Sequence, residues 1–440
     1  MNVKNKRVTV VGLGNSGVNA CLLLKARGAE VRATDSGDSP AIRDASKKLE
    51  NRGIRVETGR HTEDFIKGSS LVIVSPGVED DSPAMKWAVR YGIPVIGEME
   101  LGYRFCKGRI IGITGTNGKS TVATLIGEVL KDAGLDAVVC GNIGNSLCGE
   151  IPRIKEETWV VLEVSSFQLE RIEKFRPHIA VILNIRDDHM DRYAKFTDYF
   201  NEKLKIFSNQ DKNDFLILNK DAEELKGLDK KTRSKTLFYS RRENANTVYE
   251  MKLKGLHNVE NVLASSTAAM LAGVNESSIK RTVANFRGLA HRFETVDTIG
   301  GVEYIDDSKG TTVDSTYRAL ESCERPVILI AGGKDKHSDY GAVKEIARRK
   351  VKRLILIGEA AGAIRKALSS AVAMEDAKDV DDAVLQARDA GVSGDIVLLS
   401  PMCSSFDMFS SYKERGEVFK SAVRRLEEGA RVQGPGARRA

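Results

Sequence analysis

The sequence predicts an α/β protein of three domains, each built on a mainly parallel sheet. Two glycine-rich turns, each carrying an apolar strand into a helical stretch, open the first two domains. Beyond about residue 290 a third series of apolar strands alternates with helical stretches. A length of 440 residues suits roughly two to four domains with real cores.

Residues 7–17 read Arg-Val-Thr-Val-Val-Gly-Leu-Gly-Asn-Ser-Gly, a β-run ending in G-x-G-x-x-G at Gly12, Gly14 and Gly17. A helical run through Cys21 and Leu24 follows, and a second strand, 30–34, ends at Asp35. This is the dinucleotide fingerprint, with an acidic residue roughly 20 positions on. It calls for a nucleotide diphosphate at a helix N-terminus and leaves NAD, FAD and a UDP-sugar open. Residues 71–77 give another strand, whose exit loop (Ser75, Pro76, Gly77) falls on the same rim. A short strand near residue 95 closes this Rossmann-like domain at 1–98.

Residues 110–121, Ile-Ile-Gly-Ile-Thr-Gly-Thr-Asn-Gly-Lys-Ser-Thr, open the second domain, 99–290, which reads as P-loop ATPase-like. Ile113 occupies the first glycine position of the strict phosphate-loop pattern, yet Gly115, Gly118, Lys119 and Ser120 fall where the mechanism needs them. Backbone N–H groups, a helix N-terminus and a lysine together cradle a triphosphate, whereas an ordinary turn needs none of them. A strand and turn at 138–144 offer Asn142. The apolar run of 158–168 is too continuous for a half-exposed strand, so it is expected to be buried and parallel. Glu163 near its carboxyl end then suits Mg²⁺ better than a surface cap. Strand 179–185 leads into Arg-Asp-Asp-His-Met-Asp-Arg-Tyr, bringing His189 to the same rim.

Residues 196–207 are a helix candidate with Phe196, Tyr199, Phe200, Leu204 and Phe207 on one stripe. Lys203 lies on that stripe and Lys205 points away. Lys203 is either a snorkelling stem or a desolvated amine able to act as a nucleophile. Between 209 and 250 strand signals are weak. Helix 256–273 carries His257, Asn258 and Asn261. In the third domain, 291–440, strands near 302–305, 327–331, 354–357 and 396–400 each end in a polar loop, a second Rossmann-like pattern. The tail from residue 433 is Gly/Arg-rich and expected to be disordered.

A net charge of +7, with few aromatics and no nucleic-acid motif, points to an anionic small substrate. Six scattered cysteines without a C-x-x-C pair argue against zinc or a disulfide framework and for a reducing compartment. With no signal-peptide pattern and no apolar run approaching the ~20 residues of a membrane helix, a cytoplasmic protein is expected.

The ordered segments GTNGKST, EVSSFQ, DDHMDRY, HNVEN, HRFE, DDSKGTT, GGKDK and SPMCSSFD resemble the ATP-dependent Mur ligases of peptidoglycan synthesis across essentially the whole chain. Within that family the sequence is most similar to the branch that adds D-glutamate to UDP-N-acetylmuramoyl-L-alanine. The resemblance implies that Gly14, Asn15, Ser16, Gly17, Asp35, Ser75, Pro76, Gly77 and Asn142 meet the UDP-substrate. Gly115, Thr116, Asn117, Gly118, Lys119, Ser120 and Thr121 would bind ATP phosphates. Two Mg²⁺ ions would lie on Ser120, Glu163, His189 and a carbamylated Lys203. Asn258, Asn261, Arg292, Asp307 and Lys309 would line the nucleotide, and Lys309, Thr311, Lys336, Ser405 and Tyr412 the incoming D-glutamate. Lys119, His189, Lys203 and Lys309 are the implied catalytic residues, and the implied state is a monomer. Tyr412 stands where a Phe is expected, and Lys334 where some relatives carry Asp.

Overall fold

The computed structural model describes residues 1–188, 192–193, 195–243, 251, 255–336 and 338–432, with side chains described to residue 426. Three sheets carry the fold. The first contains β1 (Arg7–Val11), β2 (Glu30–Thr34), β3 (Arg55–Glu57), β4 (Leu71–Val74) and β5 (Val95–Gly97), ordered β3-β2-β1-β4-β5 and wholly parallel. The second contains β6 (Arg109–Thr114), β7 (Ala137–Gly141), β8 (Trp159–Glu163), β9 (Ile179–Ile182), β10 (Phe215–Asn219) and β11 (Lys235–Tyr239). Its order is β11-β10-β9-β6-β8-β7, again parallel throughout.

The third sheet holds β12 (Glu294–Ile299), β13 (Val302–Asp306), β14 (Val327–Gly332), β15 (Val351–Ile357), β16 (Met374–Asp376) and β17 (Ile396–Leu399). Its order is β12-β13-β17-β14-β15-β16, and only β12 runs antiparallel. Successive side chains of its central strands supply two cores. Leu329, Leu354, Leu356 and Leu398 face one helical layer, while Ile328, Ile330, Ile355 and Val397 face the other. Coverage on both faces is why these strands read as unbroken apolar runs.

Chain contacts define two compact units. One contains the first two sheets, with later segments that include 260–283; the other is built from residue 284 onward, with short stretches that include 186–188 and 255–259. Within the first unit, helices Asn15–Ala26, Glu98–Phe105 and Leu147–Glu150 pack together. There the buried Glu98 carboxylate accepts the Cys148 N–H at 2.8 Å.

Several strands escape the sequence reading. β10 and β11 lie in the stretch whose pattern is weak, and the outer strand β11 is the more exposed of the two. β12 mixes polar and apolar residues without a two-residue period and carries a register shift between Thr295 and Asp297, while β16 has only three residues. The tail from residue 433 lies outside the described residues.

Candidate active site

Strand β6, buried except at its first residue, delivers the loop 115–118 to the carboxyl rim of the second sheet. Gly118 caps helix Lys119–Asp132 at φ +87°, and Gly115 has φ +155°. A Cβ at Gly118 would lie 2.4 Å from Asn261 Oδ1, so the glycine lets this side chain close on the loop. Asn184, just beyond β9, braces the other side. Its Oδ1 accepts from Asn117 N at 2.9 Å, its Nδ2 donates to Asn117 O at 3.2 Å, and its carbonyl accepts from Thr116 N at 2.9 Å. Lys119 Nζ curls back to donate to Gly115 O and Thr116 O, each at 2.8 Å. Ser120 and Thr121 are buried in the first helical turn. A helix N-terminus and an ammonium thus meet on one loop, the elements of an anion cradle, with the N–H groups of Thr116 and Asn117 taken up by Asn184.

Pairing in register places Glu163, at the end of β8, opposite Ile113 on one side and Gly141 on the other. Its side chain is buried, and Oε1 accepts from Asn142 Nδ2 at 2.9 Å. Lys203 ends the stripe of helix Phe196–Leu204, only 2% exposed. Its Nζ donates to Gly115 O at 2.9 Å and sits 4.7 Å from the Tyr199 ring centroid. The Tyr199 hydroxyl lies 3.1 Å from Thr116 Oγ1. Lys205 turns outward to an ion pair with Glu202 at 2.7 Å. Helical spacing thus carries Lys203 under the phosphate loop and leaves Lys205 at the surface. His189 lies outside the described residues.

The first sheet's rim bounds a cavity of about 560 Å³, lined by Gly14, Asn15, Ser16, Asp35, Ser75, Pro76 and Gly77 among others. That volume suits a nucleotide-sized ligand. Gly17 is placed differently: a Cβ there would lie 1.8 Å from Gly12 O, so this glycine serves the packing of helix on strand. The Asp35 carboxylate accepts from Leu13 N at 2.7 Å and Gly37 N at 2.8 Å, bracing the two turns that flank the cavity.

In the second unit, Arg292 stands between two residues wound into the left-handed region, His291 (φ 63°) and Phe293 (φ 48°). Such strain persists only where surroundings hold it. Here His291 Nδ1 lies 2.7 Å from Asp306 Oδ2, His291 N donates to Glu294 Oε2 at 2.8 Å, and Phe293 N donates to Asp307 Oδ1 at 3.3 Å. Asp307 keeps part of its surface open, but its carboxyl is enclosed, and burial pushes it up to about 7 against the opposing hydrogen bond from Ser400 Oγ and the charge of Arg292. Asn258 is buried on helix Leu256–Leu271, three residues before Asn261.

Lys309 Nζ lies 5.0 Å from the Tyr412 ring centroid. Thr311 and Lys336 are half-buried and Ser405 is buried. Lys334 points to the surface, paired with Glu359 at 2.6 Å, while its backbone N donates to Ser404 O at 2.9 Å. Two residues absent from the sequence reading organise these surroundings: Asn184 at the phosphate loop and the fully buried Arg415 beneath Ser308, Cys403 and Ser404. Both act largely on backbone atoms distant in the chain, which local patterns do not reveal.

Three family models match the chain in order. The Mur ligase MurD-like N-terminal domain matches residues 6–97, the Mur ligase middle domain 113–252, and the Mur ligase glutamate ligase domain 291–403. The UDP-N-acetylmuramoylalanine--D-glutamate ligase of Koribacter versatilis is 42% identical, over 97% of this chain and 99% of its own. The enzyme of that name from Geotalea daltonii is 41% identical, over 98% and 99%. Among solved structures, the MurF ligase of Thermotoga maritima in complex with ADP shares the fold with a TM-score of 0.62 at 13% identity, covering 96% of this chain and 99% of that one. The UDP-N-acetylmuramate-alanine ligase MurC of the same organism gives 0.59 at 18% identity, covering 97% and 100%. With all three domain types matched in order and identity near 40% along nearly the entire length, the chain belongs to the Mur ligase family.

Proposed function

We propose that this chain is an ATP-dependent ligase that adds D-glutamate to UDP-N-acetylmuramoyl-L-alanine through an acyl phosphate, in cytoplasmic peptidoglycan precursor synthesis. The observation that carries this reading is whole-length similarity to D-glutamate ligases, joined to a formed phosphate loop backed by Glu163 and Lys203. We assign UDP-substrate binding to residues 1–98, ATP binding to 99–290 and amino-acid binding to 291–440.

A carboxylate is a poor acyl donor. Attack of the substrate carboxylate on the γ-phosphate of ATP gives an acyl phosphate and ADP, and the amine of D-glutamate then displaces inorganic phosphate. Two anions meet in the first step, so positive charge and N–H donors must already be in place. The loop 115–118 and Lys119 supply both. Asn184 braces that loop through hydrogen bonds to Thr116 and Asn117, and Asn261 lies close against Gly118. Lys309, Thr311, Lys336, Ser405 and Tyr412 are assigned to the acceptor, whose two carboxylates suit cationic partners.

The donor set also suits Mg²⁺: the buried Glu163 carboxylate and the Ser120 hydroxyl are hard oxygen groups beside the loop. Bound Mg²⁺ would neutralise charge between carboxylate and phosphate. An ammonium at Lys203 cannot ligate a cation, but a carbamate there would present oxygens on a long arm, and we assign it that form. His189 completes the proposed set. The test is phosphate release from ATP against a matrix of UDP-muramyl precursors and amino acids. Release confined to UDP-N-acetylmuramoyl-L-alanine plus D-glutamate is expected, and release with a different pair would overturn the assignment.

A further inference from the structure

Among the described residues of the second unit, the largest fully buried side chain is a cation. Arg415, 0% exposed, sits one turn into helix Tyr412–Val432. Its Nε donates to Ser308 Oγ at 3.0 Å, and one terminal nitrogen donates to Ser308 O at 2.8 Å and Cys403 O at 3.2 Å. The other terminal nitrogen reaches Ser404 O at 3.3 Å and Gly332 O at 3.5 Å. Ser308 Oγ in turn donates to Tyr412 O at 2.8 Å, and Lys334 N donates to Ser404 O at 2.9 Å. A single guanidinium thus ties together the exit loops of β13, β14 and β17 and the start of its own helix.

Each tied segment bears a residue assigned to the acceptor. Ser308 precedes Lys309 and Thr311, and the Gly332 turn leads to Lys336. Cys403 and Ser404 precede Ser405, and Tyr412 opens the helix. The close fit leaves little room for drift. A Cβ at Gly333 would come 2.3 Å from Ser404 O and 3.0 Å from a terminal nitrogen of Arg415. A neutral donor could hold one or two of these carbonyls, whereas the planar fork of five N–H donors holds several in fixed directions.

The charge itself calls for explanation. No carboxylate forms an ion pair with Arg415 among the described residues, and its nearest partners are carbonyls and a hydroxyl. Desolvation lowers its affinity for the proton, to a pKa of about 10, which leaves it charged at neutral pH. The carboxylates of Asp407, Asp306 and Asp307 favour its charge without pairing to it directly, yet a buried cation remains costly, and a purely structural tie could be made without one. An anion bound on the loops that Arg415 ties would add to that field through a low-dielectric layer.

We propose that Arg415 is a positioning residue for the amino-acid acceptor: it sets the spacing of the four segments that hold the acceptor, and its charge favours a dianionic amino acid over a monoanionic one. This rests on the ligase reading given above.

The test uses the full chain with Arg415→Met, which removes charge and fork, and Arg415→Lys, which keeps charge alone. The KM for D-glutamate should rise about tenfold to a hundredfold in both, the scale of a slight misplacement of reacting groups, with KM for ATP within about threefold of wild type. Preference for D-glutamate over D-glutamine, which lacks the second carboxylate, should shrink in Arg415→Met and persist in Arg415→Lys. Equal losses for all substrates, or unchanged discrimination in Arg415→Met, would overturn the proposal. Should Arg415→Met fail to fold, Arg415→Lys carries the test alone, and an unchanged KM for D-glutamate in it would be contrary. If the wild-type chain itself shows no D-glutamate-dependent turnover, the ligase reading fails instead, and the two failures are distinct.

Discussion

At the scale of single residues, two lysines from different helices reach the carbonyls of one loop. Lys119 donates to the carbonyls of Gly115 and Thr116 from the helix start, while Lys203 reaches Gly115 O from below. Lys119→Ala should lower ligation turnover about a hundredfold or more, the scale of losing a donor that counts chiefly in the transition state. Calorimetry should show UDP-substrate affinity nearly unchanged, because the first sheet's cavity is built without Lys119. Lys203→Ala should be nearly inactive and regain activity with small carboxylic acids that fill the vacated space; Lys205→Ala should match wild type. Full Mg²⁺-dependent activity of Lys203→Ala in CO₂-free buffer without added acid would refute the carbamate assignment. Asp307 adds a pH signature. Its carboxyl titrates near 7 in the folded protein and near 4 when unfolded, so the folded state binds the extra proton between those values. Ligand-free stability should therefore be greatest below about pH 4 as far as this group contributes, and fall as pH rises toward 7. Asp307→Asn should flatten that part of a denaturant-midpoint profile. Lys203 was legible because helical period sets its face, and Glu163 because a buried strand end sets its place. Asn184 and Arg415 were not, since their partners are backbone groups far away in sequence.

At the scale of elements, the two glycine-rich turns share a pattern but differ in use. Gly118 is required by both its left-handed backbone and the approach of Asn261. Gly17 is required by contact alone, with a Cβ 1.8 Å from Gly12 O. Alanine within a helix gains about 1 kcal/mol over glycine, whereas forcing an extra carbon into close-packed structure costs typically 1–3 kcal/mol or more, roughly. Contact with backbone should win, so Gly17→Ala should lower the thermal midpoint and weaken UDP-substrate binding together. A variant that melts at or above wild type would show that the helix shifts freely. The central strands were legible as continuous apolar runs because both faces are covered. Outer strands were not: β11 and β12 mix polar and apolar residues, and β16 is too short to show a period.

At the scale of the whole molecule, three mainly parallel sheets repeat one device, with many of the side chains assigned above to ligands on loops beyond the carboxyl ends of strands. The fingerprint in the first sheet alone permits NAD, and Asp35 braces the turns beside the cavity through both carboxylate oxygens. Calorimetry is expected to show binding of UDP-N-acetylmuramoyl-L-alanine and none of NAD(H); saturable NAD binding in its place would restore an oxidoreductase reading. ATP is expected to activate the muramyl carboxylate by direct phosphoryl transfer. The most direct measurement follows a heavy oxygen isotope placed in that carboxylate through a full turnover with ATP and D-glutamate. Transfer of one labelled oxygen to inorganic phosphate is expected for each amide formed. Unlabelled phosphate alongside amide product, or label recovered in AMP, would contradict it.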